Sequence, residues 1–418
     1  MDERTAVKLE PGQEWRFEVA FDAKVNVRLV DGSAELFGTE LARGREYEFS
    51  GKHAAIFTYQ GCELEWEGPC AEYVASNAVM RRYASIHFAL EGMRMKSEKD
   101  GEQPPVTLIL GDANAGKTTL AKVLVSYATK MGRFPMFVNL DPTQPAFSPP
   151  GSIAAVPVSH VLDIEDPSFG MGTINGPAQT HHKQPIVFDY GLAQTSQSPE
   201  FYQTLVGHLS EVVQARVAQD DRVRHSGIII DTPTSMSSDE DSLLLDVISK
   251  FHVTSVLVVG KERLAVQLQR KLAPSGPIVV NVPQSGGVTD DDDTFLRQVQ
   301  RRAITEYFFG SHRQALSPFT ITTSLKELAV FRPLEQNDMT EGALLTKVEP
   351  SAVLQNCVLA FVNASPSQPL DEIARAETLG FVQVTEADDT KQLAKVLMTA
   401  AGSLPKKAFI MGSYRYHE

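Results

Sequence analysis

The chain opens with runs in which apolar and polar residues alternate. In EWRFEVAF (14–21) Trp15, Phe17 and Val19 share one side, and in VNVRLV (25–30) Val25, Val27 and Leu29 do the same. Shorter runs follow at AELFGTEL (34–41), REYEF (45–49), AAIFTYQG (54–61) and CELEW (62–66). Period two predicts half-buried strands, and turn signals such as DGS (31–33) and SGK (50–52) space them as in a small sandwich or barrel. RRYASIHFALEGMRMKSEKDGEQPP (81–105) predicts a helix running into a polar linker.

From residue 105 to about 310 the pattern changes to apolar strands alternating with amphipathic helices, which predicts a parallel sheet covered on both faces. The strands are PVTLIL (105–110), PMFVNLD (135–141), SGIIID (226–231), SVLVVG (255–260) and PIVVNVP (277–283). TTLAKVLVSYATKMG (118–132) is a helix with Leu120, Val123, Leu124, Tyr127 and Ala128 on one face, and residues 198–220 form another, carrying Phe201, Leu205, Leu209, Val212 and Val213 inward. The Pro-, Gly- and Ser-rich segment 142–197 reads as an excursion across the carboxyl edge of the sheet, where ligands of open α/β sheets sit. After residue 311 the alternation stops, and CVLAFV (357–362), GFVQVTEA (380–387), KQLAKVLM (391–398) and KAFIMGSYRY (407–416) predict a small β domain. The expected class is α/β: a central P-loop domain with a parallel sheet (101–310) between mainly β N-terminal (1–100) and C-terminal (311–418) domains.

The chemistry concentrates in GDANAGKTT (111–119), which fits G-x-x-x-x-G-K-[ST] with Gly111, Gly116, Lys117 and Thr118. It lies between a predicted strand and a predicted helix, the context the motif needs. The glycines let backbone N–H groups surround phosphate oxygens, Lys117 reaches the β and γ phosphates, and Thr118 ligates Mg²⁺. Turnover also needs a carboxylate at a neighbouring strand end. Asp141, in DPTQP with Gln144, and Asp231, in DTPTS, both qualify by position, and each can also be read as a turn or capping residue.

The remaining composition narrows the class. Hydrophobic residues make up 42% of 418, enough for packed cores, and no apolar run approaches a membrane span. The charged start MDERTAVKLE is unlike a secretory signal, so the cytosol or nucleus is expected. Cys62, Cys70 and Cys357 form no CxxC pair and read as reduced thiols. A net charge of −13 argues against coating nucleic acid by bulk electrostatics. The acidic tract Asp290 to Asp293 and SSDEDS (237–242) read as helix starts, and the adjacent His181 and His182 as a solvated pair.

EWRFEV, AELFGTEL, GDANAGKTT, NLDPTQP, PQSGGV (283–288), EYFFGS (306–311) and the ending SYRYHE together resemble the pre-mRNA cleavage and polyadenylation factor IA subunits of the polynucleotide 5′-hydroxyl kinase family, in their fungal form. The resemblance spans nearly the whole chain. It implies three domains, ATP and Mg²⁺ as ligands, the nucleus, a partner scaffold subunit that binds RNA polymerase II, and other 3′-end processing factors, with RNA contacted indirectly and no membrane. It assigns the nucleotide to Gly111, Asn114, Ala115, Gly116, Lys117, Thr118 and Thr119, the metal to Thr118 and Asp141, and the base to Glu14 from the N-terminal domain. A basic position before AAIFTY falls on His53, with Lys52 beside it; either can serve.

Two departures from the kinase members stand out. Their Thr-x-Gly-Trp clasp is here Thr232, Pro233, Thr234 and Ser235, and their two lid arginines, aligned on EYFFG, are here Gln300 and Thr305. Arg301 and Arg302 adjoin, but one residue along a helix turns a side chain by about 100 degrees. Losing an arginine that acts on the transition state costs on the order of 10³ or more in rate. The expectation is therefore an ATP-binding, catalytically silent protein in which Asp141 is vestigial. The enzymatic alternative is an active RNA 5′-hydroxyl kinase. A GTPase-like switch ranks last because no N-K-x-D is present.

Overall fold

The computed structural model describes residues 4–166, 168–172, 185–237, 242–290, 292–311, 314–336 and 342–417. His181 and His182 lie outside these residues, as do 238–241 of the SSDEDS stretch and Asp291.

The alternating N-terminal runs fold as two antiparallel sheets. One has the order Thr5–Leu9, Cys62–Glu67, Val25–Gly32, Glu46–Phe49; the other has Thr39–Glu40, Glu35–Leu36, Lys52–Phe57, Glu14–Val19, Ala71–Ala75. Their inner faces bury Trp15, Phe17, Val25, Val27, Phe49 and Ile56, with Trp15 stacked on Phe17 at 4.6 Å between centroids. Two further members of this core, Ile164 and Phe169, come from the central domain's excursion, so the N-terminal sandwich is completed by a loop that its own sequence does not supply.

The central sheet has seven strands in the order Ile186–Asp189, Ser152–Pro157, Met136–Asn139, Ile228–Asp231, Val106–Gly111, Ser255–Val259, Ile278–Val282. The last five run parallel, as expected. The first two are antiparallel additions from within the 142–197 excursion, a segment whose turn-rich composition conceals them. The helix Lys117–Lys130 buries Leu120, Val123, Leu124, Tyr127 and Ala128, the predicted face. The helix Met80–Asp100 packs along it, with the His87 and Tyr127 rings 5.3 Å apart and Arg94 Nε donating to Ser226 O at 2.9 Å. Asp292 caps the helix Asp293–Phe309 by accepting from Phe295 N at 2.7 Å, the role read for the acidic tract.

The C-terminal part is a seven-stranded sheet in which one neighbouring pair, Val330–Pro333 with Phe409–Arg415, is parallel. It meets the central sheet where Ser413 N donates to Gly191 O at 2.7 Å. A side chain at Gly412 would place Cβ 2.3 Å from Gly191 O, so the two backbones touch there because neither residue has one. Cys62 and Cys357 are buried, Cys70 is half-buried, and all three are free thiols.

Candidate functional site

The strand Val106–Gly111 ends in the loop and the helix begins at Lys117. Gly116 has φ 88° and Asn114 φ 54°, left-handed values that turn successive N–H groups into the loop's concavity. At Gly111 a Cβ would sit 2.9 Å from Val259 O. The residues required to be glycine for chain geometry are thus the ones the motif demands. Lys117 curls back over the loop, its ammonium donating to Asp112 O at 2.8 Å and Gly111 O at 3.2 Å. Burial lowers its pKa, while Asp231, Asp141 and Asp112 act to raise it. Ser237 Oγ both donates to Gly111 O (2.7 Å) and accepts from Gly111 N (2.9 Å), which fastens the loop's first residue.

Both candidate carboxylates are buried beside the loop. Thr118 Oγ1 donates to Asp231 Oδ2 at 2.6 Å, so the hydroxyl read as a metal ligand is set against Asp231 rather than Asp141. Asp141 Oδ1 instead accepts from the Thr143 amide (2.9 Å) and hydroxyl (2.6 Å). Burial pushes Asp231 up to about 6 and raises Asp141 as well. Two carboxylates whose charged forms burial disfavours, set beside a hydroxyl and an ammonium, suit a divalent cation, whose charge would favour both. Among the described residues no cluster of three or more His, Cys, Asp or Glu forms a metal site independent of the loop.

A cavity of about 410 Å³ opens from the loop toward the N-terminal domain. Ala113 to Thr119, Asp141, Gln144, Asp231 and Thr234 form one wall, and Lys52, His53, Phe295 and Arg302 belong to the other. His53 stacks on Phe295 at 4.3 Å, and its Nδ1 is 3.0 Å from Thr289 Oγ1. Lys52 donates to the carbonyls of Ile164 and Asp166, and its ammonium stands 3.9 Å from the centre of the Phe169 ring. Lys122 approaches the same ring at 4.6 Å. Burial lowers Lys52 to about 7 and Lys122 to about 8. Both residues of the Lys52/His53 alternative therefore line the cavity, with Lys52 already committed to the excursion.

Glu14 does not line this cavity. It is buried and bonded to Arg16 Nε at 2.6 Å, and Arg16 also donates to Asn77 Oδ1 at 2.8 Å. Arg16 packs on the 283–288 loop, where a Cβ at Gly287 would lie 2.6 Å from its Nε, and Val288 of that loop lies 3.7 Å from where a Gly116 Cβ would be. Glu14 thus reaches the phosphate loop's surroundings through Arg16 and residues 283–288.

The aligned lid positions serve packing. Gln300 Nε2 donates to Thr143 O at 2.9 Å, and Thr305 Oγ1 bonds Arg301 O and the Tyr416 hydroxyl. Arg301 turns to His417 O at 3.0 Å. Arg302 does face the cavity, but it is tied to Glu306 at 3.2 Å and to Ser50 O at 3.1 Å. In place of a clasp, Thr232 Oγ1 donates to Ile109 O at 2.6 Å and Ser235 Oγ lies 2.8 Å from Thr195 Oγ1.

Comparison with known proteins agrees with this architecture. The family described as mRNA cleavage and polyadenylation factor CLP1 P-loop matches residues 111–310, the N-terminal beta-sandwich domain of polyadenylation factor matches 8–97, and pre-mRNA cleavage complex II protein Clp1 matches 316–418. The chain belongs to the Clp1 family. The mRNA cleavage and polyadenylation factor CLP1 of Eremothecium gossypii is 36% identical over 100% of this chain and 95% of its own length. Its Botryotinia fuckeliana counterpart is 35% identical over 97% and 92%. A solved wild-type Clp1p–Pcf11p complex superposes with a TM-score of 0.93 at 32% identity, covering 100% of this chain and 99% of that one. A second, at 0.92 and 31%, concerns the extended interface between Pcf11p and Clp1p and the structural basis for ATP loss in a point mutant.

Within the Clp1 frame, Lys122 and Phe169 are cavity residues that sequence reasoning did not find. Lys122 lies one helical turn past Thr118 and so shares its face, a signal the helix period carries. Phe169 arrives from the excursion, and nothing local announces it.

Proposed function

We propose that this Clp1-family chain is an ATP-binding subunit of the nuclear pre-mRNA 3′-end cleavage and polyadenylation machinery, holding ATP and Mg²⁺ as a structural ligand and bridging partner proteins. The principal partner in this reading is a scaffold subunit of cleavage factor IA that binds RNA polymerase II, and RNA is met indirectly. The proposed divisions lie near residues 100 and 310. The relatives' names and the Clp1p–Pcf11p complexes support the assembly role.

The observation that carries the silent-site reading is a contrast around the loop: the loop Gly111 to Thr119 is intact and lines the cavity through Ala113 to Thr119, while Gln300, Arg301 and Thr305 lie outside its lining and are spent on backbone and inter-domain bonds. Gly111 to Thr119 would hold the phosphates, Thr118 with Asp231 and Asp141 the metal, and His53 would flank the nucleoside end, with the Glu14–Arg16 pair outside the cavity lining and reaching it only through residues 283–288. A bound triphosphate with its metal would supply fixed charge between the two walls of the cavity. Lys117 neutralises phosphate, and the Lys52 clamp on Ile164 and Asp166 keeps the N-terminal domain seated over the loop.

Arg302 favours the second reading, an active 5′-hydroxyl kinase, because it lines the same cavity as Asp141. The two readings separate in one preparation. Incubated with γ-labelled ATP and a 5′-hydroxyl oligoribonucleotide, the protein is expected to transfer no label, and chromatography of nucleotide released on denaturation is expected to give intact ATP. Label on the RNA, or a diphosphate in the released fraction, would establish turnover instead.

A further inference from the structure

The helix Met80–Asp100 packs inward on Lys117–Lys130 and on residues 221–226, and its first turn sets Arg81 beside Gly12 of the N-terminal domain. Its inner face sends Met80, Tyr83 and Leu90 into the core beneath the helix Lys117–Lys130, and Glu91 is tied to Arg94 and Arg133. The outer face has its own order. Arg81, Ser85, Phe88, Gly92, Met95 and Lys99 follow one another at alternating steps of four and three residues, and all are exposed. Positions at this spacing lie along one stripe of the helix surface. Phe88 is 65% and Met95 60% exposed, among the most exposed large apolar side chains of the described residues, and they share one stripe. At Gly92, between them, a Cβ would meet nothing within 4 Å. Two apolar knobs therefore flank a gap, the relief into which a second helix packs.

Charge selects the occupant. On a chain of net charge −13, this face exposes Arg81, Arg82, Lys96 and Lys99. Of its anions, Glu98 is held by Arg133 and Asp100 stands at the helix end. A second copy of the chain fits poorly, since an antiparallel seam sets Arg81 against Lys99 and a parallel one sets Arg81 against its own copy. A nucleic-acid backbone crossing the ridge would lose phosphate partners over its apolar middle. We propose that the outer face of Met80–Asp100 is a docking seam for one amphipathic helix of a partner protein, apolar where it meets Phe88 and Met95 and acidic at both ends. From Arg81 to Lys99 the seam is about 27 Å long, so the partner helix has about five turns. No residue of this face lines the cavity, so the inference does not depend on how the nucleotide site is read.

The test uses the full chain and two labelled helical peptides of about 21 residues, both with Leu at heptad a and d positions, one flanked by Glu and the other by Lys. Fluorescence anisotropy is expected to show the acidic peptide binding at least about 10-fold more tightly than the basic one, with the difference shrinking in high salt. Phe88→Ala with Met95→Ala is expected to weaken the acidic peptide by about 10-fold or more, and Lys96→Glu with Lys99→Glu to invert the preference. These side chains are exposed, so thermal unfolding of the variants should match the parent and a lost interaction cannot be blamed on misfolding. Equal binding of both peptides, or no effect of either pair of substitutions, would overturn the seam. So would a dimer dissociated by the alanine pair, or RNA binding removed by the charge reversal while no peptide binds.

Discussion

Lys117→Ala is expected to lower ATP affinity by about 10- to 100-fold, the range for losing hydrogen bonds to a charged group. Thermal unfolding should register the loss. A ligand at ~100 times its dissociation constant stabilises the bound form by roughly 2.7 kcal/mol, which for a domain of this size is about 5–10 °C. The parent protein should therefore melt higher with ATP than without it, and the variant should lose most of that increment. Because the cavity is walled by both the central and N-terminal domains, the increment also measures their coupling. Affinity for the scaffold partner should fall in the variant if that partner reads the closed arrangement, and by reciprocity the partner should then tighten ATP binding in the parent by the same factor. The substitution has a second effect without ligand: the Lys117 ammonium acts to lower Asp231, so its removal should raise Asp231 further above about 6. An ATP-induced increment that survives Lys117→Ala would show that the loop does not hold the phosphates.

The features legible in the sequence are those set by neighbours along the chain. The loop 111–119, the buried face of the following helix, the two-residue period of the N-terminal strands and the Asp292 cap all depend on local spacing. The choice between Asp141 and Asp231 depends on strand order. Both end strands of the same sheet, yet Ile228–Asp231 pairs directly with Val106–Gly111, whereas Met136–Asn139 lies one strand further out. That adjacency brings Asp231 onto Thr118, and no local pattern encodes it. Lys52 and His53 pose a related problem. Successive residues of a strand face opposite sides, but these begin the strand at the domain junction, where the excursion reaches one and Phe295 the other. The strands Ser152–Pro157 and Ile186–Asp189 were hidden for a different reason: their turn-rich surroundings read as loop, and only pairing with Met136–Asn139 and with each other makes them sheet.

The excursion also explains why the cavity is enclosed. Ile164 and Phe169 are buried in the N-terminal core while the backbone at Ile164 and Asp166 takes the Lys52 ammonium. Glu165 adds an exposed-side pairing with Arg45 at 2.5 Å and accepts from Glu48 N at 3.1 Å. Apolar insertion fixes the loop's position, and the charged contacts fix its orientation. The segment that the sequence presents as an irregular connection is therefore the hinge plate between two domains, and its position next to Lys122 places it against the phosphate-loop helix.

Asp189→Asn is expected to stabilise the protein at pH 8 by a few kcal/mol, and by no more than about 1 kcal/mol near pH 4. Asp189 closes the strand Ile186–Asp189 at the junction with the C-terminal domain, 6% exposed, with Ser152 Oγ donating to it at 3.2 Å. Its own amide donates to Thr378 Oγ1 at 3.0 Å, across the junction. The Tyr414 ring lies against Gly151 beside it, and the Tyr414 hydroxyl, which Asp141 and Asp189 both act on, is buried without a hydrogen-bond partner among the described residues. Burial, opposed weakly by Ser152, pushes Asp189 up to about 7 from 3.8. The folded state thus binds the proton more tightly than the unfolded chain, so stability falls as pH rises from about 4 to about 7, and the whole penalty is present above that. At 1.36 kcal/mol per pKa unit the shift corresponds to about 4 kcal/mol. Asparagine keeps the shape and carries no charge at any pH, so it removes the penalty where Asp189 is ionised and changes little where it is protonated. Tyr414→Phe is the companion variant: its hydroxyl makes no bond in the described structure, so its removal should cost less than about 1 kcal/mol. Urea unfolding of the three proteins at pH 4.5, 6 and 8 decides the matter. If Asp189→Asn is no more stable than the parent at pH 8, the ionised carboxylate has a favourable partner at the junction, and the C-terminal domain is held there by charge rather than in spite of it.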